Sequence, residues 1–381
     1  MKSFLQFLQR AFKYFRSTKR VWRKPPRADL LIIDRGTASP LDEMFAQHKP
    51  HIMEIRGESV NMLALLRALP KIHLGAVAYL EAYIDFVKPK LILSRTDNNH
   101  ALWQLKRRPN VAYKVALIQN GWRFPGTENS KAIGMSESDN VDLYFSVGSA
   151  TPSAYAFSSP KFFCEVGSLY LNEVPRPKKE NRSDNEVLFV SVFRSKTSSV
   201  VQGLYEYGGL ESAMTKRQMP ISIICQSRSE SDQIKEEEFY GTAMPNIYKK
   251  FLRRDSRLSS YRWFTDRNIL INDLSTLGYE AFAVGVRVGF VSIQQRWRVP
   301  ARFGKPLEFG EKGPFWTNDP SEEEIGRILD YLLNVSDEQW ERDSGWIRDQ
   351  LMVHDYGNTK IRAYVESVLA DSLENAKITN I

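Results

Sequence analysis

Short apolar runs alternate with helical segments along most of the chain. In the first half this pattern predicts helices over 60–88 and strands at 29–34, 51–56, 91–94, 114–119, 141–147 and 162–166. In the second half it predicts a helix over 321–334 and strands at 187–192, 221–225, 269–271 and 286–291. Since each strand is a near-continuous apolar run, we expect parallel sheets covered by helices on both faces.

A charged, proline-containing stretch over 173–186 separates the two runs of alternation and reads as a linker. A chain of 381 residues is long enough for two domains. The predicted fold class is therefore α/β, with two Rossmann-like domains that face a central cleft. We place the N-terminal domain at 28–172 and the C-terminal domain at 187–335, with helices over 336–381 that would pack back on the N-terminal domain.

The net charge of +8 is concentrated in a tail. Residues 1–27 hold nine basic residues and no acidic one, which leaves −1 for the rest of the chain. The body is therefore nearly neutral, and we do not expect nucleic acid as a partner. No run of about 18 apolar residues is present to span a bilayer.

The same tail carries apolar residues at helical spacing, on one stripe formed by Phe4, Leu5, Leu8, Phe12 and Phe15. A basic helix with an aromatic stripe tends to lie in the interface of an anionic membrane, and we expect 1–27 to form such a helix. The alternatives are a helix packed on its own domain, an organelle targeting peptide, or a nucleic-acid-binding tail. Pro25 and Pro26 would end the helix.

Ligands of open α/β sheets bind beyond the carboxyl ends of the strands. Polar clusters follow predicted strands at 94–100, 119–124 and 272–280, and another polar cluster lies at 302–316. A helix that starts near Ser275 or Thr276 would offer free N–H groups to a phosphate, and Glu280 could accept hydrogen bonds from ribose hydroxyls. Alternatively, Ser275 only caps the helix and Glu280 is solvated.

The first two clusters supply candidates for the opposite wall of the cleft. Asp97 is the best-placed carboxylate for acid/base or nucleophilic work, next to Asn98 and His100, although Asp and Asn also form ordinary turns. Gln119 and Asn120 could present amides to sugar hydroxyls. We add Arg123, a candidate for pairing with an anionic sugar or phosphate, or with a surface acid.

Several common chemistries have no support in the sequence. It has no G-x-x-x-x-G-K-[ST], G-x-G-x-x-G, G-x-S-x-G, H-x-x-x-H or C-x-x-C pattern. ATPase, dehydrogenase, hydrolase and zinc-site interpretations are therefore disfavoured.

Taken in order, several strings resemble the bacterial surface carbohydrate biosynthesis proteins. They are Thr-Asp-Asn-Asn from 96, Ile-Gln-Asn-Gly-x-Arg from 118, Val-Asp-Leu-Tyr-Phe-Ser-Val-Gly from 141, Val-Gly-Ser-Leu from 166 and Ser-Thr-Leu-Gly-Tyr-Glu-Ala from 275. The resemblance spans roughly residues 30 to 320. This group is similar to GT-B glycosyltransferases and, more distantly, to the Kdo transferases that use CMP-Kdo.

The resemblance implies a glycosyltransferase that moves a sugar from a nucleotide-sugar donor, CMP-Kdo or a related acidic sugar, to lipopolysaccharide O-antigen or capsule. The donor would be held by the C-terminal half at Ser275, Thr276, Gly278 and Glu280, while the N-terminal half would supply acceptor and catalytic groups. Enzymes of this class need no metal or cofactor, because basic residues and helix dipoles offset the charge of the leaving nucleotide. Our candidates for that charge are Arg194 and Arg302.

The partners implied are the donor, a glycan or lipid-linked glycan acceptor, and the membrane. The protein would be cytoplasmic and peripheral on the inner face of the bacterial inner membrane. A nucleotide-sugar epimerase on the same plan and a non-catalytic assembly or export partner are the alternatives.

Overall fold

A computed structural model describes residues 18–106, 111–122, 141–150, 163–177, 186–194, 198–264, 269–273, 275–293 and 309–370 of the chain. Within these residues two parallel sheets form, one from each half of the sequence. The prediction of two Rossmann-like layers is confirmed.

The N-terminal sheet has six strands, all parallel. From edge to edge they are His51–Met53, Leu30–Ile33, Leu91–Ser94, Lys114–Ile118, Leu143–Ser146 and Phe163–Glu165. The central strands are buried on both faces, which is why their sequences are apolar throughout instead of alternating.

The C-terminal sheet has seven strands, of which the sequence pattern predicted four and missed three. From edge to edge they are Tyr248–Leu252, Ile221–Ile224, Val187–Val190, Ile269–Asn272, Arg287–Val291, Trp316–Thr317 and Lys312–Gly313. All neighbours are parallel except the last pair. The four predicted strands form the centre, and the three that the pattern missed lie at the edges.

Helices cover the sheets. The α-helices are Leu41–Met44, Met62–Ala68, Ala76–Val87, His100–Trp103, Val200–Lys216, Glu230–Ala243, Thr276–Ala283, Glu322–Asn334, Asp337–Leu351 and Thr359–Leu369. In the N-terminal half, Ala76–Val87 packs on one face of the sheet and Thr359–Leu369 on the other. None of the described helices is long and apolar enough to cross a membrane.

The end of the chain returns to the N-terminal sheet. Helix Asp337–Leu351 packs in the C-terminal core, whereas Ile361 and Val365 of the next helix are fully buried against the N-terminal strands. Tyr364 meets Phe145 edge to face at 5.5 Å. The last helix therefore ties the two halves together, while the exact domain boundaries stay predictions.

The tail differs from the expected helix over 1–27. Lys19–Val21 is a strand that pairs in parallel with Ser59–Asn61, and Asn61 Nδ2 donates to the Arg23 carbonyl at 2.8 Å. These backbone groups bond to the body, so the part of the helix predicted after residue 18 is wrong. Residues 1–17, which carry the Phe and Leu stripe, lie outside the described residues.

Candidate functional site

A cavity of about 430 Å³ lies where the carboxyl ends of the two sheets face each other. Its N-terminal wall comes from the segments after four strands, at Arg95, 119–121, Val147 and 168–170. Its C-terminal wall comes from the segments after strands Ile221–Ile224, Tyr248–Leu252 and Ile269–Asn272. The cleft therefore lies where parallel α/β sheets place their ligands.

The cavity wall is rich in positive charge. Four arginines line it, whereas Glu280 is the one carboxylate among the described residues that do so; the arginines are Arg95, Arg228, Arg254 and Arg257. A guanidinium is always protonated and binds phosphates and carboxylates through a planar fork of N–H donors. The cavity is therefore suited to an anionic ligand.

The helix Thr276–Ala283, which we call the Ser275 helix, begins at this cavity. Ser275 caps it, with its Oγ accepting from the Leu277 N–H at 3.3 Å. Ser275 and Thr276 both line the cavity, so Ser275 caps the helix and lies at the cavity wall at the same time. The positive dipole end of this turn favours a phosphate, and that role of the two residues stays a prediction.

Glu280 lies in the same helix and is buried, with 6% of its surface exposed. Ser168, from the N-terminal wall, donates a hydrogen bond to Glu280 Oε1, and Tyr261 also bonds to this carboxylate. Burial raises the pKa of Glu280 to about 7, although these two hydrogen bonds and the charges of Arg95 and Arg254 oppose the shift. The alternative of a solvated Glu280 is therefore wrong.

Asp97 is not in the cavity. It is fully buried, and its carboxylate accepts hydrogen bonds from the Asn120 N–H at 3.2 Å and the Tyr144 hydroxyl at 3.0 Å. The Trp103 indole donates to the Asp97 carbonyl at 2.7 Å. From its buried position Asp97 fixes the loop that follows strand Lys114–Ile118. The expectation that Asp97 faces the cleft is therefore wrong.

Other predicted residues also lie away from the cavity. Asn98 is exposed, and His100 starts a short helix where its ring contacts Gln104 Nε2 at 3.1 Å. Arg194 is exposed, with its backbone N–H bonded to Ser198 Oγ. None of these three is among the described residues that line the cavity.

Gly278 has a packing role instead of a ligand contact. A Cβ atom at this position would meet the Asn272 side chain at 2.1 Å, so glycine is needed for the Ser275 helix to lie on the end of its preceding strand. Arg123 and Arg302, two further predicted residues, lie outside the described residues.

The 119–121 segment does line the cavity, as the sequence suggested. The Gln119 amide, however, is used to shape the loop: its Nε2 donates to the Gly121 carbonyl and its Oε1 accepts from the Val147 N–H, both at 2.9 Å. Gly121 has φ +90°, and a Cβ there would lie 3.1 Å from Thr276 Oγ1. Gln119 and Gly121 thus set the position of Asn120 at the cavity wall.

Sequence reasoning missed most of the arginines. Arg254 and Arg257 follow the strand Tyr248–Leu252, which the pattern did not reveal because two lysines interrupt its apolar residues. Arg95 lies inside the polar cluster at 94–100, in which the sequence favours Asp97 as the functional residue. A basic residue directly after a strand was the signal available for Arg95, whereas Arg254 and Arg257 lie further into the segment after their strand.

Comparison with known proteins finds solved structures with the same fold and a family sequence model that matches one part of the chain. Residues 214–369 match the sequence model of a family described as "putative O-antigen biosynthesis protein". This agrees with the resemblance to surface carbohydrate biosynthesis proteins, while the more distant similarity to Kdo transferases stays a prediction. No curated protein matches the chain in sequence.

Solved structures with this fold include a "putative UDP-N-acetylglucosamine 2-epimerase" from Listeria monocytogenes, at TM-score 0.52 and 14% identity over 91% of this chain and 97% of the other. The wall teichoic acid polymerase TagF is similar at TM-score 0.51 and 10% identity, over 92% and 91% of the two chains. An α,α-trehalose-phosphate synthase (UDP-forming) from Burkholderia vietnamiensis matches at TM-score 0.51 and 9% identity, over 92% and 99%. These likenesses establish the GT-B-like fold.

The raised pKa of Glu280 predicts how stability changes with pH. The folded chain holds this proton more tightly than the unfolded chain, so stability associated with Glu280 is present at low pH and is lost as pH rises from its usual range to about 7. Glu280→Gln removes this loss. We expect the Tm of Glu280→Gln relative to wild type to rise by a few degrees between pH 5 and pH 8 in thermal denaturation.

The matched control is Glu238→Gln, a change at an exposed glutamate of helix Glu230–Ala243. It should follow the wild type at both pH values. A Glu280→Gln variant whose Tm also follows the wild type across this range would contradict the position we assign to Glu280.

Proposed function

We propose that this protein is a glycosyltransferase that moves a sugar from a nucleotide-sugar donor to a growing bacterial surface glycan, the O-antigen of lipopolysaccharide or a capsule. The observation that carries the proposal is the arginine-rich cavity at the start of the Ser275 helix, between two sheets of a GT-B-like fold. The match to the O-antigen biosynthesis family covers residues 214–369, which include this helix, and it supports a surface glycan as the proposed product.

In the proposed complex the donor phosphates lie at the N-terminus of the Ser275 helix, near Arg254 and Arg228. Glu280, one turn further along, accepts hydrogen bonds from the ribose hydroxyls and in doing so exchanges its bond with Ser168. As the sugar leaves, charge builds up on the nucleotide phosphates, and fixed N–H groups and guanidinium groups stabilise that charge. No metal or cofactor is needed for this step in our proposal.

The proposed donor carries an acidic sugar such as that of CMP-Kdo. Arg228 and Arg254 are available to the phosphates and Arg257 is paired with glutamates, which leaves Arg95 as a further cation of the cavity wall; its charge favours a donor or acceptor with a further negative group. The acceptor, a glycan or lipid-linked glycan, enters from the N-terminal wall.

The nucleotide proposal predicts a thermal shift with at least one of CMP, UDP, GDP and dTDP. Arg254→Ala should weaken the best of these about 10- to 100-fold, because it removes charged hydrogen bonds of about 1.5–3 kcal/mol to phosphate. Arg253→Ala is the matched control, since this neighbour points to Glu237 at 2.6 Å instead of lining the cavity. Its affinity should equal that of the wild type.

Product analysis separates the proposed activity from its alternatives. A glycosyltransferase moves labelled sugar to an acceptor and releases the nucleotide, whereas an epimerase changes the sugar without any acceptor. A chain that shows no thermal shift with any of the four nucleotides would instead fit a non-catalytic partner and contradict the proposal.

We also propose that the protein is cytoplasmic and binds the inner face of the inner membrane. Besides the basic tail, the described body exposes four large apolar side chains in its N-terminal half, Trp22, Leu66, Leu69 and Leu74, which we propose form one apolar patch. Helix Met62–Ala68 buries its alanines against the next helix, and Leu66 is exposed on its surface. Exposed basic residues come from the same part of the chain, namely Lys19, Arg20, Arg23 and Lys24.

An apolar patch beside basic residues favours an anionic bilayer, where each basic side chain adds roughly 1 kcal/mol. We expect the double change Leu66→Ser and Leu69→Ser to reduce co-sedimentation with phosphatidylglycerol vesicles severalfold. Tyr205→Ser, at a side chain 87% exposed in the C-terminal half, should leave it unchanged. Equal binding of all three proteins would show that this patch does not dock on lipid.

A further inference from the structure

Arg95 is the most enclosed of the four cavity arginines. It follows strand Leu91–Ser94 directly, lines the cavity and has 7% of its surface exposed. A guanidinium keeps its charge in any protein environment, and a buried charge is costly unless an opposite charge lies beside it. Across the described parts of the chain, no carboxylate lies within ion-pair distance of Arg95.

The contacts that Arg95 does make orient it without neutralising it. Its Nη1 donates to the Ser39 carbonyl at 2.6 Å, and its Cζ lies 4.5 Å from the centre of the Tyr170 ring. The Tyr170 hydroxyl donates to the same carbonyl at 2.9 Å, which fixes the ring under the guanidinium. Arg95 Nε has no hydrogen-bond partner among the described residues.

Arg257 provides a useful contrast, since it lies 5.2 Å from the same Tyr170 ring. Its Nη2 is 2.7 Å from Glu173 and its Nη1 is 3.5 Å from Glu43, so its charge is balanced within the protein. The charged residues that line the cavity together with Arg95 are Glu280, Arg228, Arg254 and Arg257. Glu280 is shared with Arg254 and is bonded to Ser168 and Tyr261.

We infer that Arg95, held by Ser39 and Tyr170, forms a second oxyanion subsite that takes a carboxylate or phosphate on the sugar side of the substrates, apart from the nucleotide phosphates. The subsite belongs to the N-terminal wall, whereas the Ser275 helix, Arg228 and Arg254 belong to the C-terminal wall. The planar fork of a fixed guanidinium matches both oxyanions. This inference deepens the proposed function and rests on it.

The test uses three sugars that differ only at C6: glucose, glucuronate and glucose 6-phosphate. Binding to the full chain is measured by ligand-observed NMR, alone and with a saturating concentration of whichever of UDP or CMP binds. The wild type should bind at least one of the two anionic sugars at least tenfold more tightly than glucose, with or without the nucleotide. Arg95→Gln should abolish that preference and change UDP and CMP affinity less than twofold.

Two further variants separate a ligand role from a structural one. Arg95→Lys keeps the charge but loses the fork, so it should retain part of the preference. Arg253→Gln, outside the cavity, should retain all of it. Because Arg95→Gln removes a buried unbalanced charge, its ligand-free Tm should be equal to or above that of the wild type, whereas loss of a purely structural arginine would lower it.

The outcomes are distinct. Equal binding of all three sugars to the wild type, or an anionic preference that survives in Arg95→Gln, would overturn the subsite. A loss of UDP and CMP affinity in Arg95→Gln would overturn it too, by placing Arg95 in the nucleotide site. Arg95-dependent binding of an anionic sugar without any nucleotide binding would leave the subsite standing and contradict the proposed glycosyltransferase. UDP-glucuronate against UDP-glucose, or the matching CMP-sugars, then shows whether the anion is on the donor or on the acceptor.

Discussion

The contact between Trp122 and the Ser275 helix joins the two halves of the molecule at its functional centre. The Trp122 ring stacks on Tyr279 at 4.4 Å and 13°, and its backbone N–H donates to Thr276 Oγ1 at 3.0 Å. Trp122 belongs to the N-terminal half by sequence, yet it packs in the hydrophobic core of the C-terminal half. This contact holds the carboxyl ends of the two sheets face to face, and the cavity between them depends on it.

The chemistry of the cavity follows from how its charges are paired. Arg257 is balanced by two glutamates and serves to connect the halves, since Glu43 and Glu173 come from the N-terminal half. Arg95 and Arg254, by contrast, share Glu280: the charges of both act to lower the pKa of this buried carboxyl group. A site with an excess of fixed cations and a helix N-terminus attracts anions and stabilises charge that develops on a leaving phosphate.

Much of the fold could be predicted from sequence because parallel strands are buried on both faces and leave a simple apolar signature. Strand Tyr248–Leu252 was not predicted because it is an edge strand with exposed lysines. Arg254 and Arg257, which follow it, were therefore not recognised as cavity residues. Strand Lys19–Val21 was not predicted because a run of three basic and apolar residues has no recognisable strand pattern. It forms a strand through its pairing with Ser59–Asn61, which is distant in sequence.

The site residues were harder to predict because a loop's polar residues are sorted by contacts with distant parts of the chain. In the loop that follows Leu91–Ser94, hydrogen bonds from Tyr144 and Asn120 hold the Asp97 carboxylate in the buried interior. Contacts with Ser39 and Tyr170 hold the Arg95 guanidinium at the cavity. These partners are far away in sequence. Ser275, Thr276 and Glu280 were found because a strand followed by a capped helix fixes its own geometry locally.

The central claim is that a nucleotide sugar binds between the sheets with its phosphates at the Ser275 helix. A crystal structure of the chain with its best-binding nucleotide sugar tests this most directly. Our account predicts phosphate oxygens within hydrogen-bond distance of the first N–H groups of this helix and of Arg254. Phosphates found elsewhere, for example in the separate cavity of about 330 Å³ beside Trp340, would contradict it.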